Sequence, residues 1–283
     1  MTINHRLLEN LTYPGGMPPH QCFDVYIPLS GPKIDRLMIY VHGGAWRSGD
    51  KADAHSVGLI GNLSKQFPAA AICSVNYRLS RGRVSPESDV KHPSHNADVV
   101  RAIEHASSLP ELRDIHRTYL IGHSVGAFVC LSIAGILEPP SSEAPRLSNS
   151  TCEKIRGLVL VDGIYDVVKL LDEYPSYEDF VVGAFEEKAS DRGQDLEAVS
   201  PLCWTASASG PQGQPRILIL HSRQDSLLTV RQSELAATTL RSKLSSSADK
   251  IETDFESVSG DHDTLLLSPE LGSRIKSFIV KDE

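Results

Sequence analysis

Short apolar runs closed by turn-forming residues alternate along this chain with longer stretches whose apolar positions recur at helical spacing. Cys22 to Pro28, Arg36 to His42, Ala70 to Asn76, Thr118 to Ile121, Ile155 to Val161 and Arg216 to His221 read as strands, and Lys250 to Val258 as a last one. In RLMIYVH, Arg36 to His42, everything between the two basic ends is apolar or aromatic, so this strand needs cover on both faces. Helical spacing falls around residues 53–66, at His92 to Ser107 and at Phe128 to Leu137, with a further helix after the last strand. This order predicts an α/β fold: a mostly parallel central sheet with helices on both faces. Glu138 to Thr151, rich in proline and serine, reads as an exposed loop. Residues 163–214 are too many for one crossover helix and predict a small cap region.

The run Thr118 to Ile121 feeds Gly122-His123-Ser124-Val125-Gly126, and a helix-forming stretch follows. A G-x-S-x-G sequence between a strand and a helix is the nucleophile elbow of the α/β-hydrolase fold. The reversal forces strained angles on the serine, and the two glycines leave room where side chains would collide. Ser124 is therefore the candidate nucleophile. The helix behind it aims its N-terminal N–H groups at the point where an oxyanion would form. An isolated pentapeptide of this kind could equally be a plain turn; the flanking strand and helix give it meaning.

His42-Gly43-Gly44-Ala45-Trp46 follows another strand end, where hydrolases of this fold place a Gly-rich loop. The candidate oxyanion hole comprises Gly43, Gly44, Ala45 and Val125, with the N–H groups of Gly44, Ala45 and Val125 as donors. Loss of one such donor costs ~3 kcal/mol of transition-state stabilisation. A phosphate cradle would need a following Gly-Lys-Ser/Thr, which is absent. Trp46 is expected either to wall the acyl pocket or to pack in the core.

A serine hydroxyl needs a base and a group that orients the base. In this fold the order along the chain is nucleophile, acid, base. Asp225, just past the strand RILIL, and His262, after the last strand, satisfy it. Asp162 follows the preceding core strand and is the rival acid. Asp261 and Asp263 adjoin His262 and read as solvated or turn-forming.

The remaining features narrow the function. With 283 residues, 40% of them hydrophobic, the chain can bury one large core, and residues 1–283 are expected to form a single domain. A formal charge of -8 without acidic or basic blocks argues against nucleic acid or an anionic membrane as partner. No run reaches the ~18 apolar residues of a membrane helix, and Met1 to Gly16 lacks the pattern of a secretory signal. Cys22, Cys73, Cys130, Cys152 and Cys203 are scattered and odd in number, which disfavours disulfides and a zinc site. A cytoplasmic protein acting on a small molecule, without metal or cofactor, is the expectation.

Several segments together resemble the fungal-type kynurenine formamidases, or arylformamidases, of the α/β-hydrolase superfamily. They are the His-Gly-Gly-x-Trp motif at His42 to Trp46, GHSVGA at Gly122 to Ala127, LVDGIYD at Leu160 to Asp166, EYPSY at Glu173 to Tyr177 and HSRQDSLLTVRQ at His221 to Gln232. Broad-specificity esterases usually carry Gly-Asp-Ser-Ala-Gly at the elbow, from which His123 and Val125 depart. The resemblance implies hydrolysis of N-formyl-L-kynurenine to L-kynurenine and formate in tryptophan degradation by Ser124, Asp225 and His262, with no cofactor, and it allows a homodimer. A broad-specificity carboxylesterase would share every one of these groups. A non-catalytic binding protein on the same fold would typically lack one of them, and none is missing. Arg78, in NYRLS, is a candidate for the substrate's carboxylate or, alternatively, a structural arginine.

Overall fold

The computed structural model describes residues 5–29, 33–80, 90–185, 192–208 and 214–282. Its strands are β1 (His5–Thr12), β2 (Cys22–Pro28), β3 (Arg36–Val41), β4 (Ala70–Val75), β5 (Thr118–His123), β6 (Leu137–Glu138), β7 (Ile155–Val161), β8 (Thr205–Ala206), β9 (Arg216–Leu220) and β10 (Ile251–Asp254). The α-helices are α1 (Ala54–Gln66), α2 (Ser94–Ser108), α3 (Val125–Ile133), α4 (Asn149–Cys152), α5 (Val167–Glu173), α6 (Glu178–Ala184), α7 (Arg192–Val199), α8 (Arg231–Lys243) and α9 (Pro269–Ile279).

Eight strands form one sheet in the order β1-β2-β4-β3-β5-β7-β9-β10, and β6 pairs with β8 apart from it. The β1·β2 and β2·β4 pairs are antiparallel, and the remaining pairs of the large sheet are parallel. Strand alternation divides the core between the two faces. Met38 and Tyr40 of β3 pack with α1 and α9, through residues such as Leu63 and Phe278. Leu37, Ile39 and Val41 join the other cluster, with α2, α3 and α8. That two-sided burial is why β3 and β5 show no polar face in the sequence.

Element boundaries depart from the sequence reading in ways that have local causes. β5 runs through Gly122 and His123 before turning, because both still pair with β7. The helix behind the elbow begins at Val125, and left-handed Gly135 (φ 73°) follows its end, so Leu137 and Glu138 are free to pair with Ala206 and Thr205. Part of the expected loop is thus strand, and Ser148 caps α4 within it by accepting the Thr151 N–H. The last strand stops at Asp254, well short of Val258. Asp254 Oδ1 accepts the N–H groups of Glu256 and Ser257, a side-chain turn that bends the backbone out of the ladder. In the cap region α5, α6 and α7 are found; residues 186–191 and 209–213 lie outside the described residues. Among the described residues no helix is long and apolar enough to cross a membrane.

Candidate active site

Ser124 sits at the end of β5, at the middle of the sheet, with φ 55° and ψ −120°. An L-residue holds such angles only when its surroundings leave no alternative. Its N–H donates to Val161 O at 2.9 Å, and its carbonyl accepts from Ala127 N at 3.0 Å. The glycines on either side fix the geometry. A Cβ on Gly122 would collide with the Gly126 carbonyl, and one on Gly126 with the Val41 carbonyl. Strand, turn and helix can therefore close up only with glycine at both positions.

The His42 to Trp46 loop lies directly against the elbow. A Cβ on Gly43 would stand 2.9 Å from His123 Nδ1 and 3.0 Å from Ser124 Cβ. Gly44, Ala45 and Trp46 are all left-handed, with φ of 101°, 53° and 57°. Tyr77 Oη bonds to the carbonyls of His42 and Gly43, at 3.1 Å each, and the Tyr77 ring stacks on His42 at 4.4 Å. The Gly44 carbonyl accepts from Arg47 N and Ser48 N. In a trans peptide the N–H opposes the C=O. Tying back the Gly43 and Gly44 carbonyls therefore turns the N–H groups of Gly44 and Ala45 the other way. Gly44, Ala45, Ser124 and His262 line one cavity of about 380 Å³. Trp46 takes no part in that wall. Its indole is fully buried against Phe128 and Phe185, which makes it a core residue that holds the strained turn in place.

Asp225 and His262 meet above the ends of β9 and β10. Asp225 Oδ2 lies 2.6 Å from His262 Nδ1, while Oδ1 accepts the N–H groups of Leu227 (2.8 Å) and Leu228 (2.9 Å). Backbone donors thus fix the carboxylate before it meets the imidazole. Burial alone would lower the His262 pKa, but the Asp225 hydrogen bond and charge outweigh it, and the net shift is upward. Asp261 accepts from both Ser226 N and His262 N, tying the two loops together. It is turn-forming, as its place in the sequence suggested. His123 Nε2 donates to the His262 carbonyl at 3.0 Å, so the elbow itself holds the loop that carries the imidazole. Burial and the neighbouring His262 push the His123 pKa well below the usual histidine range.

Asp162 is also brought here, but for another purpose. It is fully buried, with φ 43°, and its Oδ1 accepts Ser222 N at 2.8 Å. Carboxylate atoms of Asp162 and Asp225 and a nitrogen of His262 lie within 4.8 Å of one another. Burial first, and then the adjacent Asp225 charge, raise the Asp162 pKa well above the ordinary carboxylate value. His221 provides no compensating cation. Nδ1 is bonded to Ser233 Oγ and Nε2 to the Leu228 carbonyl, and burial lowers its pKa. A second group of ligand-type atoms joins His123, His262 and Asp263. In these groups one nitrogen of each imidazole is already committed to a hydrogen bond, His262 Nδ1 to Asp225 and His123 Nε2 to the His262 carbonyl.

Arg78 lies elsewhere. Its guanidinium forks onto Asp98 at 2.7 and 3.0 Å, and Tyr13 and Gln21 donate to the same carboxylate, so the structural reading applies. The cavity beside Ser124 is instead walled by Tyr177, the last residue of the EYPSY segment, and by Asp179, Phe180 and Arg47, which the sequence did not single out.

The BD-FAE family model matches residues 23–240. Kynurenine formamidase of Meyerozyma guilliermondii is 36% identical over 228 residues, covering 79% of this chain and 77% of that protein. The chain belongs to the kynurenine formamidase family. Kynurenine formamidase of Eremothecium gossypii is 34% identical over 72% of this chain and 78% of its own length. Among solved structures, a truncated carbohydrate esterase from gut microbiota superposes with a TM-score of 0.76 at 17% identity, covering 99% of this chain and 98% of that one. Carboxyl esterase 2 of Tuber melanosporum gives 0.68 at 19% identity, covering 99% and 85%. These two likenesses show the α/β-hydrolase fold.

Proposed function

We propose that the protein hydrolyses the formamide of N-formyl-L-kynurenine, releasing L-kynurenine and formate. The observation that carries the chemistry is the 2.6 Å Asp225–His262 hydrogen bond, on an imidazole that shares one cavity with a strained serine. The kinship to kynurenine formamidases over most of the chain supports the substrate.

His262 Nε2 takes the proton of Ser124 Oγ as the oxygen attacks the formyl carbon. Asp225 holds the imidazole in the tautomer with the proton on Nδ1 and stabilises the imidazolium. The N–H groups of Gly44, Ala45 and Val125 receive the oxyanion, with Gly43 giving the close approach. The C–N bond then breaks, His262 hands its proton to the departing aryl amine, and a formyl ester remains on Ser124. Water, deprotonated by His262, cleaves that ester to formate. Five free cysteines, four of them buried, support a reducing compartment such as the cytosol.

A broad-specificity carboxylesterase is the second reading, favoured by the esterases that share the fold. Rates on N-formylkynurenine and on p-nitrophenyl esters of increasing acyl length separate the two. A formamidase prefers the formamide and loses rate as the acyl group grows; an equal or rising rate with longer acyls would overturn the proposal.

A further inference from the structure

The cavity beside Ser124 has a charged rim that the chemistry at Ser124 does not use. Arg47 is its sole lysine or arginine among the described residues lining it, and Asp179 faces Arg47 from α6. Arg47 sits just after the left-handed turn, its backbone N–H bonded to the Gly44 carbonyl at 3.0 Å. The guanidinium lies over the Phe180 ring, 5.4 Å from its centroid. One contact of 3.5 Å joins it to Asp179 Oδ2, with the two side chains 50% and 66% exposed. An ion pair that long and that exposed contributes little. Most of the guanidinium's five donors, and most of the lone pairs on the Asp179 carboxylate, are thus open to a ligand.

Those two charges match what a formylkynurenine carries at the end remote from its formyl group. An α-amino acid is a zwitterion at neutral pH: its carboxylate suits a planar guanidinium fork, and its ammonium suits a carboxylate. The ring joining the two ends needs apolar walls. Tyr177 and Phe180, with ring centroids 5.1 Å apart, lie on the same stretch of chain as Asp179, and Leu227 and Leu228 also line the cavity. Asp263 is the other carboxylate on this cavity, but it groups with His123 and His262 at the reacting end. We infer that Arg47 and Asp179 form a clamp for the α-amino-acid group of the substrate, Arg47 taking the carboxylate and Asp179 the ammonium. The clamp rests on the formamidase reading and adds a basis for specificity to it. Neither residue touches the formyl group, so the clamp acts on binding, and the bond-breaking step is left to Ser124 and His262.

Steady-state kinetics on two formamides test it. N-formyl-L-kynurenine carries the zwitterion; 2-formamidoacetophenone keeps the ring, ketone and formamide and lacks the amino acid. Arg47→Gln should raise KM for N-formylkynurenine by about 10- to 100-fold, and Asp179→Asn by about 10-fold, in line with charge-assisted hydrogen bonds. Both variants should leave kcat/KM on 2-formamidoacetophenone within about twofold of wild type, which also shows that they fold. Arg47→Lys should recover part of the loss. If wild-type enzyme cleaves both formamides and neither variant alters the ratio of their kcat/KM values, the clamp is wrong. Should wild-type enzyme cleave neither formamide, the formamidase reading falls and takes the clamp with it.

Discussion

Asp225, and not its buried neighbour Asp162, holds the imidazole of His262. The first reaches Nδ1 at 2.6 Å with its other oxygen pinned by two backbone N–H groups; the second spends an oxygen on Ser222 N. Asp225→Asn should therefore lower kcat by ~10⁴-fold, because an amide no longer enforces the productive tautomer. Asp162→Asn should cost less than about 10-fold, since the amide oxygen still accepts from Ser222. Parallel kcat measurements on the two variants decide it, and a larger loss for Asp162→Asn would reverse the assignment.

The buried Asp162 also predicts a stability effect with a definite sign. Its folded-state pKa is raised, so above the unfolded value of about 4 the unfolded chain releases a proton that the folded chain keeps. Rising pH then favours unfolding through this group. Asp162→Asn removes that penalty, so its Tm should gain on wild type as pH rises above about 4. Thermal melts across that range check it; a gap that is constant, or that closes, would show Asp162 to be ionised in the fold.

His262 must be neutral to accept the proton of Ser124, and its pKa is raised in the folded protein. The acid limb of kcat/KM should accordingly have its midpoint above the ordinary histidine value of about 6.5. Activity is lost as pH falls through that midpoint. Asp225→Asn should move the limb downward on the residual activity, because burial would then act without the compensating charge. A limb at or below the ordinary value in wild type would contradict the upward shift.

His123 departs from the acidic residue usual at this place in related esterases, and the structure gives it work: it donates to the carbonyl of His262. His123→Leu should lower kcat by about 10-fold with little change in KM, the cost of one buried hydrogen bond read through a looser base. Steady-state kinetics with circular dichroism as a fold control checks this; unchanged kcat would show that the β5 elbow does not position the base loop.

The parts legible in the sequence are those where one physical demand dominates. Two-sided burial writes the middles of β3, β5, β7 and β9 as apolar runs, with polar or charged residues only near strand ends, and the Ser124 turn admits only glycine at Gly122 and Gly126. Asp225 and His262 stood out through chain order and strand ends. Edge and cap elements answer to weaker demands. β1 is an edge strand with exposed residues on both faces and so shows no clean alternation. α8 turns Gln232 and Ser233 inward, where Gln232 bonds the Tyr165 and Asp166 backbone, and this hides its apolar stripe. Asp179 and Phe180, beyond the EYPSY segment that ends at Tyr177, enter the cavity through tertiary packing of the cap, for which no spacing in the chain is a sign.

Turnover of N-formylkynurenine by Ser124→Ala, with folding verified by circular dichroism, bears most directly on the chemistry. The serine mechanism predicts a fall of several orders of magnitude, leaving what binding and the oxyanion donors supply alone. Retention of more than a few per cent of wild-type activity would mean that another group attacks the formyl carbon.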